Sequence, residues 1–173
     1  MPTAVPVLET ARLRMRAHRP EDLGDVAAMW GDPVVTRHVG GKPLSVEEAW
    51  WKILRYAGHW SLLGFGYWAA TERASGRFVG DVGFADLKRE MTPSFGASPE
   101  AGWVLAPWAH GAGFATEAVT AALAWGDGRF GGERTVCMIN PANAASLRVA
   151  EKCGYREYAR SSYKGTAVVL LRR

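Results

Sequence analysis

Cysteine is scarce: the 173 residues contain two, Cys137 and Cys153. Their separation fits no metal-ligand or redox spacing, and a small oxidised scaffold needs more of them, so a reducing cytoplasm is the expected compartment and no metal is expected. Long apolar runs are missing as well. None approaches the ~20 residues that a membrane-spanning helix requires, and Met1–Thr10 lacks the basic-then-apolar order of a secretory signal, so no membrane association is expected. Charge of one sign is thin: 21 Lys and Arg against 17 Asp and Glu leave +4, spread along the chain. That excess suits anionic ligands such as phosphates. With no basic stripe or aromatic-basic module it does not suit nucleic acid. Repeats, low-complexity tracts and linkers are absent too, so one domain is expected, in keeping with the length.

What is present is apolar material, 48% of residues with eight Trp, arranged in readable periods. Residues 12–18 alternate apolar and basic side chains, the pattern of a half-buried strand. Pro20 opens a helix, where its missing N–H costs nothing; Leu23, Val26, Ala27 and Trp30 follow at helical spacing, and Gly31 and Pro33 end it. Ser45 and Glu48 form a capping box for a helix with Ala49, Trp50, Ile53, Leu54, Ala57 and Trp60 on one face, ending near Ser61. Strands are expected at Tyr67–Thr71, Phe78–Leu87 and Glu100–Leu105, the first two joined as a hairpin through Ala74-Ser75-Gly76. Met91–Pro99, rich in Pro, Ser and Gly, reads as a loop. Beyond a glycine turn at 110–113 comes a helix with Phe114, Ala118, Ala122 and Trp125 along one face, then a short buried strand, Thr135–Ile139. A helix from Asn143 is closed by Gly154, and Tyr155–Ser161 with Ala167–Leu171 complete a terminal strand pair. This order belongs to a mixed α/β layer protein.

The segment from Trp103 to Ala118 carries the most chemistry. A strand feeds a loop of small residues, His110-Gly111-Ala112-Gly113, which runs directly into a helix. Free N–H groups at a helix start, with the helix dipole behind them, make a phosphate site; a tight strand-to-helix turn with no ligand is the plain alternative. A P-loop needs Lys-Ser/Thr after its second glycine, and Phe114-Ala115 stands there. A dinucleotide fingerprint needs Gly or Ala where Thr116 stands and an acid after the next strand, which ends Met138-Ile139-Asn140. Neither motif fits.

His110-x-x-Gly113-x-Ala115 resembles the coenzyme A loop of the GNAT superfamily, Gln/Arg-x-x-Gly-x-Gly/Ala, departing from it at the first position. Glu100-Ala-Gly-Trp-Val-Leu-Ala-Pro resembles the family's central strand. Asn143-Ala-Ala-Ser146-Leu-Arg-Val-Ala-Glu-Lys-Cys-Gly154-Tyr155 resembles the downstream helix of RimJ/RimL-like members, and Leu8-Glu9-Thr10-Ala11-Arg12-Leu13 with Arg19-Pro20-Glu21-Asp22 resembles the opening of that branch. The resemblance implies a GNAT domain over residues 8–173 after a short tail, 1–7. Its fold would be a mixed, mostly antiparallel central sheet flanked by helices, with a splayed central strand pair.

The resemblance also implies an activity: acetyl transfer from acetyl-CoA directly to a primary amine, within a ternary complex. The acceptor would be a protein N-terminal α-amine or a small-molecule amine. The diphosphate would lie on the amides of Gly111, Ala112, Gly113, Phe114 and Ala115, and the pantetheine arm along the backbone of Val104 and Leu105. His110 takes the position of the usual Arg or Gln, and Asn143 would contact the pantetheine region, although it also reads as a helix N-cap. A strand amide would polarise the acyl carbonyl.

Glu100, at the entry to the central strand, is the expected general base, directly or through water, with Asp81 and Asp86 as weaker alternatives. The Tyr that many members carry as acid corresponds to Ala150 here. Ser146 would instead hydrogen-bond the departing sulfur, although a Ser in a first helical turn also reads as a cap. His18, His38 and His59 show no paired spacing, and the Trp50-Trp51 helix reads as core packing. Two rival readings stand beside this one. In the first, Cys137 forms an acyl intermediate by ping-pong with His110 as base; in the second, the domain binds acyl-CoA without catalysis. No motif marks the acceptor pocket, expected from residues 32–62, and both a monomer and a homodimer fit the sequence.

Overall fold

The structure, a computed structural model, describes residues 4–173. Met1–Thr3, part of the expected tail, lie outside the described residues. The chain runs β1 (Leu8–Glu9), β2 (Leu13–Arg16), a 3₁₀ turn (Pro20–Asp22), α1 (Leu23–Trp30), α2 (Pro33–Thr36) and α3 (Val46–Leu63). It continues through β3 (Tyr67–Glu72), β4 (Phe78–Ala85), β5 (Glu100–Leu105), α4 (Phe114–Arg129), β6 (Val136–Ile139), α5 (Ala144–Lys152), β7 (Arg156–Tyr163) and β8 (Thr166–Arg172). The eight strands make one sheet in the order β1-β2-β3-β4-β5-β6-β8-β7. Every pairing is antiparallel except β5 with β6.

Local chemistry sets the boundaries. Ser45 accepts from the amide of Glu48 while the Glu48 carboxylate accepts from that of Ser45, so the capping box forms and α3 begins one residue later. It runs to Leu63 and stops at Gly64, whose φ of +70° an L side chain rarely adopts. Pro33 does more than end the first helix. The Asp32 carboxylate caps the next turn by accepting from Val34, and Pro33, with no N–H to satisfy, opens α2.

The sheet separates two apolar clusters. On one face Trp68, Val82, Phe84, Ala101 and Leu105 pack under α4, with Trp60, Trp68 and Trp125 in edge contacts at 4.8–5.5 Å. On the other, Val26, Met29 and Trp30 of α1 and Ala49 and Ile53 of α3 cover Ala69, Phe78 and Val104. Trp50 joins this second cluster, but Trp51, expected in the core, is 61% exposed, because i and i+1 positions on a helix face different ways.

β5 and β6 are in register at Glu100↔Val136 alone and then separate. A strand in the middle of a large sheet is ordinarily covered; here Gly102, Trp103 and Val104 remain partly exposed. The parting of the two strands leaves the C-terminal half of β5 with backbone groups that no neighbour takes on that side.

Candidate active site

β5 leaves the sheet at Leu105, and a 3₁₀ turn over Pro107–Ala109 delivers the chain to the glycine loop. Gly111 and Gly113 both have positive φ, +74° and +82°, and Gly113 is the N-cap of α4. Nothing crowds a Cβ at Gly111, and at Gly113 the nearest atom is 3.4 Å away. These glycines therefore answer a backbone requirement and not a lack of space. Among the described residues, no main-chain carbonyl accepts from the amides of residues 111–116. The result is a cluster of unpaired donors at the positive end of a 16-residue helix.

A brace outside the recognised motif holds this loop. Arg12 donates from Nη1 to the carbonyl of Ala112 at 2.9 Å and from Nε to Glu117 at 2.7 Å, and its guanidinium lies 4.3 Å from the centre of the Phe114 ring. Glu117 also accepts from the Thr10 hydroxyl and the Arg12 amide. Burial works to raise the Glu117 carboxyl, but these donors outweigh it and hold it below the usual carboxylate range. Phe114 is buried against Trp108. His110 turns back on its own loop: Nε2 lies 2.9 Å from the Leu105 carbonyl, which can only accept, so that nitrogen carries the proton.

Where β5 and β6 part lies a cavity of about 530 Å³. It brings together Val104, Leu105, His110, Gly111, Gly113, Ala115, Asn143 and Ser146, all expected from sequence, with Val34, Val35, Arg37 and His38 around α2 and Arg148 and Lys152 of α5. Ala112, Phe114 and Glu100 are not among the groups lining it. The Asn143 carbonyl oxygen caps α5 by accepting from the Ser146 amide at 3.1 Å, leaving its NH₂ uncommitted. The Ser146 hydroxyl has no hydrogen-bond partner among the described residues. Arg37, Arg148 and Lys152 make no salt bridge there either, so the cavity wall is cationic.

Glu100 sits where the two strands last touch, but it is 8% exposed and fully engaged. Arg89 donates to both its oxygens, at 2.7 and 2.8 Å, and in turn stacks over Tyr163. Direct proton abstraction by a free carboxylate is therefore not what this geometry offers, although each oxygen keeps a lone pair beyond the one that Arg89 takes. Asp86 is held by Lys88. Asp81 is fully buried and accepts from Trp30 Nε1 at 2.9 Å and the Tyr56 hydroxyl at 3.2 Å, with His18 Nε2 at 2.7 Å. It is a structural hub. The other nitrogen of His18 is the one buried side-chain polar atom without a partner among the described residues.

Tyr56 stacks on Tyr67 at 4.7 Å, and the Tyr67 hydroxyl lies over β5 at Gly102, where any Cβ would come within 1.8 Å of it. Burial pushes the Tyr67 phenol well above its ordinary range, so it stays a donor. Lys52 of α3 places its ammonium 3.7 Å from the centre of the Trp30 ring. Burial, and after it the neighbouring Arg55, push the Lys52 amine down to about 8. Cys137 is 1% exposed within the α4-side core, and burial drives its thiol far up, away from thiolate. The sequence reading left Arg12, Glu117, Arg89, Tyr67 and Lys52 without roles. Arg12 and Glu117 are 105 residues apart, and no local pattern marks such a pair.

The comparisons with known proteins agree with this geometry. Residues 12–156 match the profile of the GNAT acetyltransferase domain. A GNAT-family acetyltransferase of Bordetella pertussis superposes with a TM-score of 0.85 at 32% identity, covering 97% of this chain and 99% of that one. The Bacillus subtilis protein YkkB is 31% identical over 85% of this chain and 83% of its own length. RimL, a ribosomal L7/L12 α-N-protein acetyltransferase solved with coenzyme A, shares the fold at a TM-score of 0.76 and 15% identity, with 97% of each chain covered. The chain belongs to the GNAT acetyltransferase family, and it shares its fold with RimL.

Proposed function

We propose that this protein transfers the acetyl group of acetyl-CoA directly to a primary amine, both substrates being bound at once in the cleft between β5 and β6. One observation carries the reading: the unpaired amides of Gly111, Gly113, Ala115 and Thr116 open onto the same cavity as the uncovered stretch of β5. A diphosphate fits the first, by charge and by donors; an amide-bearing arm fits the second, by strand addition to Val104 and Leu105. Arg148 and Lys152 on α5 would take further phosphate charge. Asn143, with its carbonyl oxygen committed to capping, would offer its NH₂, and the Ser146 hydroxyl would meet the sulfur. His110 would act chiefly by closing the loop. The acceptor is a peptide N-terminus or a small amine, and the cytoplasm, where acetyl-CoA is made and used, is the expected location.

In the reaction the amine nitrogen forms a bond to the acyl carbon, the C–S bond breaks with its electron pair going to sulfur, and the amine loses one proton. Glu100 receives that proton through water, with Arg89 holding its carboxylate in place. An α-amine of pKa ~8 needs only such mild assistance. A thiol-release assay with peptides, amino acids, polyamines and aminoglycosides, paired with calorimetry of acetyl-CoA, tests this. Binding and turnover of at least one amine are expected. Glu100→Gln should lower kcat by roughly 10–100-fold below pH 8 and recover above it, where the amine is already neutral. No heat from millimolar acetyl-CoA would overturn the enzyme; an unchanged pH profile in Glu100→Gln would remove that base.

A further inference from the structure

On the face of the sheet covered by α1 and α3, four acids have partners. Asp81 has three, Glu100 is held by Arg89, Asp86 by Lys88 and Glu48 by Lys42 and the Ser45 amide. The cations do not balance. Lys52 and Arg55, one turn apart on α3, form no salt bridge among the described residues. Arg55 is exposed and can be solvated, whereas Lys52 is partly buried. Its stem packs down so that the ammonium meets the Trp30 ring at 3.7 Å, and Trp30 is itself fixed by its 2.9 Å bond to Asp81. Asp81 is the register partner of Val104, with Gly83↔Gly102 next along the same strand pair. Lys52, through Trp30, and the Tyr67 hydroxyl over Gly102 thus stand on the same face of β4 and β5.

A half-buried ammonium that has given up water and has no carboxylate of its own is a site awaiting an anion. The aromatic ring holds the cation in place without neutralising it. We propose that the acceptor amine carries a carboxylate close to the reacting nitrogen, and that Lys52, with Arg55 beside it, binds that carboxylate. This rests on the N-acetyltransferase reading above. A second cation would not serve: a polyamine would place like charge against Lys52 and Arg55. Two sources share this chemistry, a free amino acid and a peptide with an acidic residue next to its N-terminus.

Product pairs test the inference without requiring turnover. N-acetyl amino acids and N-acetyl dipeptides ending in glutamate-like acids should bind to the protein saturated with coenzyme A roughly tenfold more tightly than their uncharged amides, by calorimetry. Lys52→Met should erase that ratio and Lys52→Arg should keep most of it, while the affinity for coenzyme A itself stays as in the parent. The amino-acid and dipeptide arms tell the two sources apart. Equal binding of acid and amide by the parent protein overturns the inference whatever the variants do, and so does preferential acetylation of spermidine over both acidic classes. Absence of coenzyme A binding is a different result, because it removes the enzyme and not merely its acceptor.

Discussion

Lys52 shows what a binding residue costs a protein that holds it ready. Its amine falls from 10.5 to about 8 because burial, and then Arg55, disfavour the ammonium. Such a fall corresponds to roughly 3 kcal/mol of destabilisation of the charged fold at about 1.4 kcal/mol per pH unit. The sign follows from proton counting: between pH 8 and 10.5 the unfolded chain binds the proton more tightly than the folded one, so folding is helped as pH rises through that window. Below pH 8 the cost is fully present, and above 10.5 it is gone. Lys52→Met removes it and loses a cation–π contact worth about 1 kcal/mol. The variant should therefore be more stable than the parent by roughly 2 kcal/mol at pH 7, with the advantage fading by pH 10, as urea melts at the two pH values would show. A residue kept for packing would give the opposite result, a less stable variant at both. Neither Lys52 nor the Tyr67 hydroxyl is distinguishable in the sequence from any other lysine or tyrosine of an amphipathic element. What singles them out is contact with Trp30 and Gly102, both distant along the chain.

Among the elements, the glycine loop was the most legible and its support the least. Loop and helix N-terminus are contiguous, so spacing alone marks Gly113 and Ala115. The capping boxes and caps at Ser45 and Asn143 are equally local and form as expected. The brace that sets the loop, by contrast, comes from the turn between β1 and β2, where Arg12 reaches the Ala112 carbonyl and Glu117. Glu117→Gln keeps the shape but removes the charge that Arg12, Thr10 and the Arg12 amide share. With Arg12 nearly half exposed, the stability loss should be no more than about 1 kcal/mol. The functional loss should be larger in proportion, because the amides of residues 111–116 act together only while the loop is held. Acetyl-CoA affinity is expected to weaken roughly threefold to tenfold, for about 1 kcal/mol of lost pre-organisation, with the acceptor KM unmoved. Calorimetry decides it; an unchanged affinity would mean that the glycine conformations hold the loop unaided.

For the whole molecule, the sheet is both scaffold and partition. One face packs the aromatic core under α4, the other carries the polar hub of Asp81 and the cations of α3, and β6 parts from β5 beyond Glu100. The succession of strands and helices and the mixed α/β class could be read locally, from spacing, caps and turns. The proposed acceptor side could not, since Lys52, Trp30, Asp81 and Tyr67 come to it from different elements. The same partition bears on Cys137. It belongs to the α4-side core with Ala101 and Leu105, at 1% exposure and with a thiol driven away from ionisation, whereas the Tyr67 hydroxyl and Lys52 lie on the other face. An acyl group parked on Cys137 would have to enter that core, where burial keeps the thiol from ionising. Direct transfer needs no such stop, because the sulfur side of the cleft and the amine side meet at the parting strands. Cys137→Ala should then cost about 1 kcal/mol of stability through lost packing while leaving turnover within about twofold. Double-reciprocal plots against both substrates should intersect; parallel lines, together with an inactive but folded Cys137→Ala, would require the acyl-enzyme that this partition argues against.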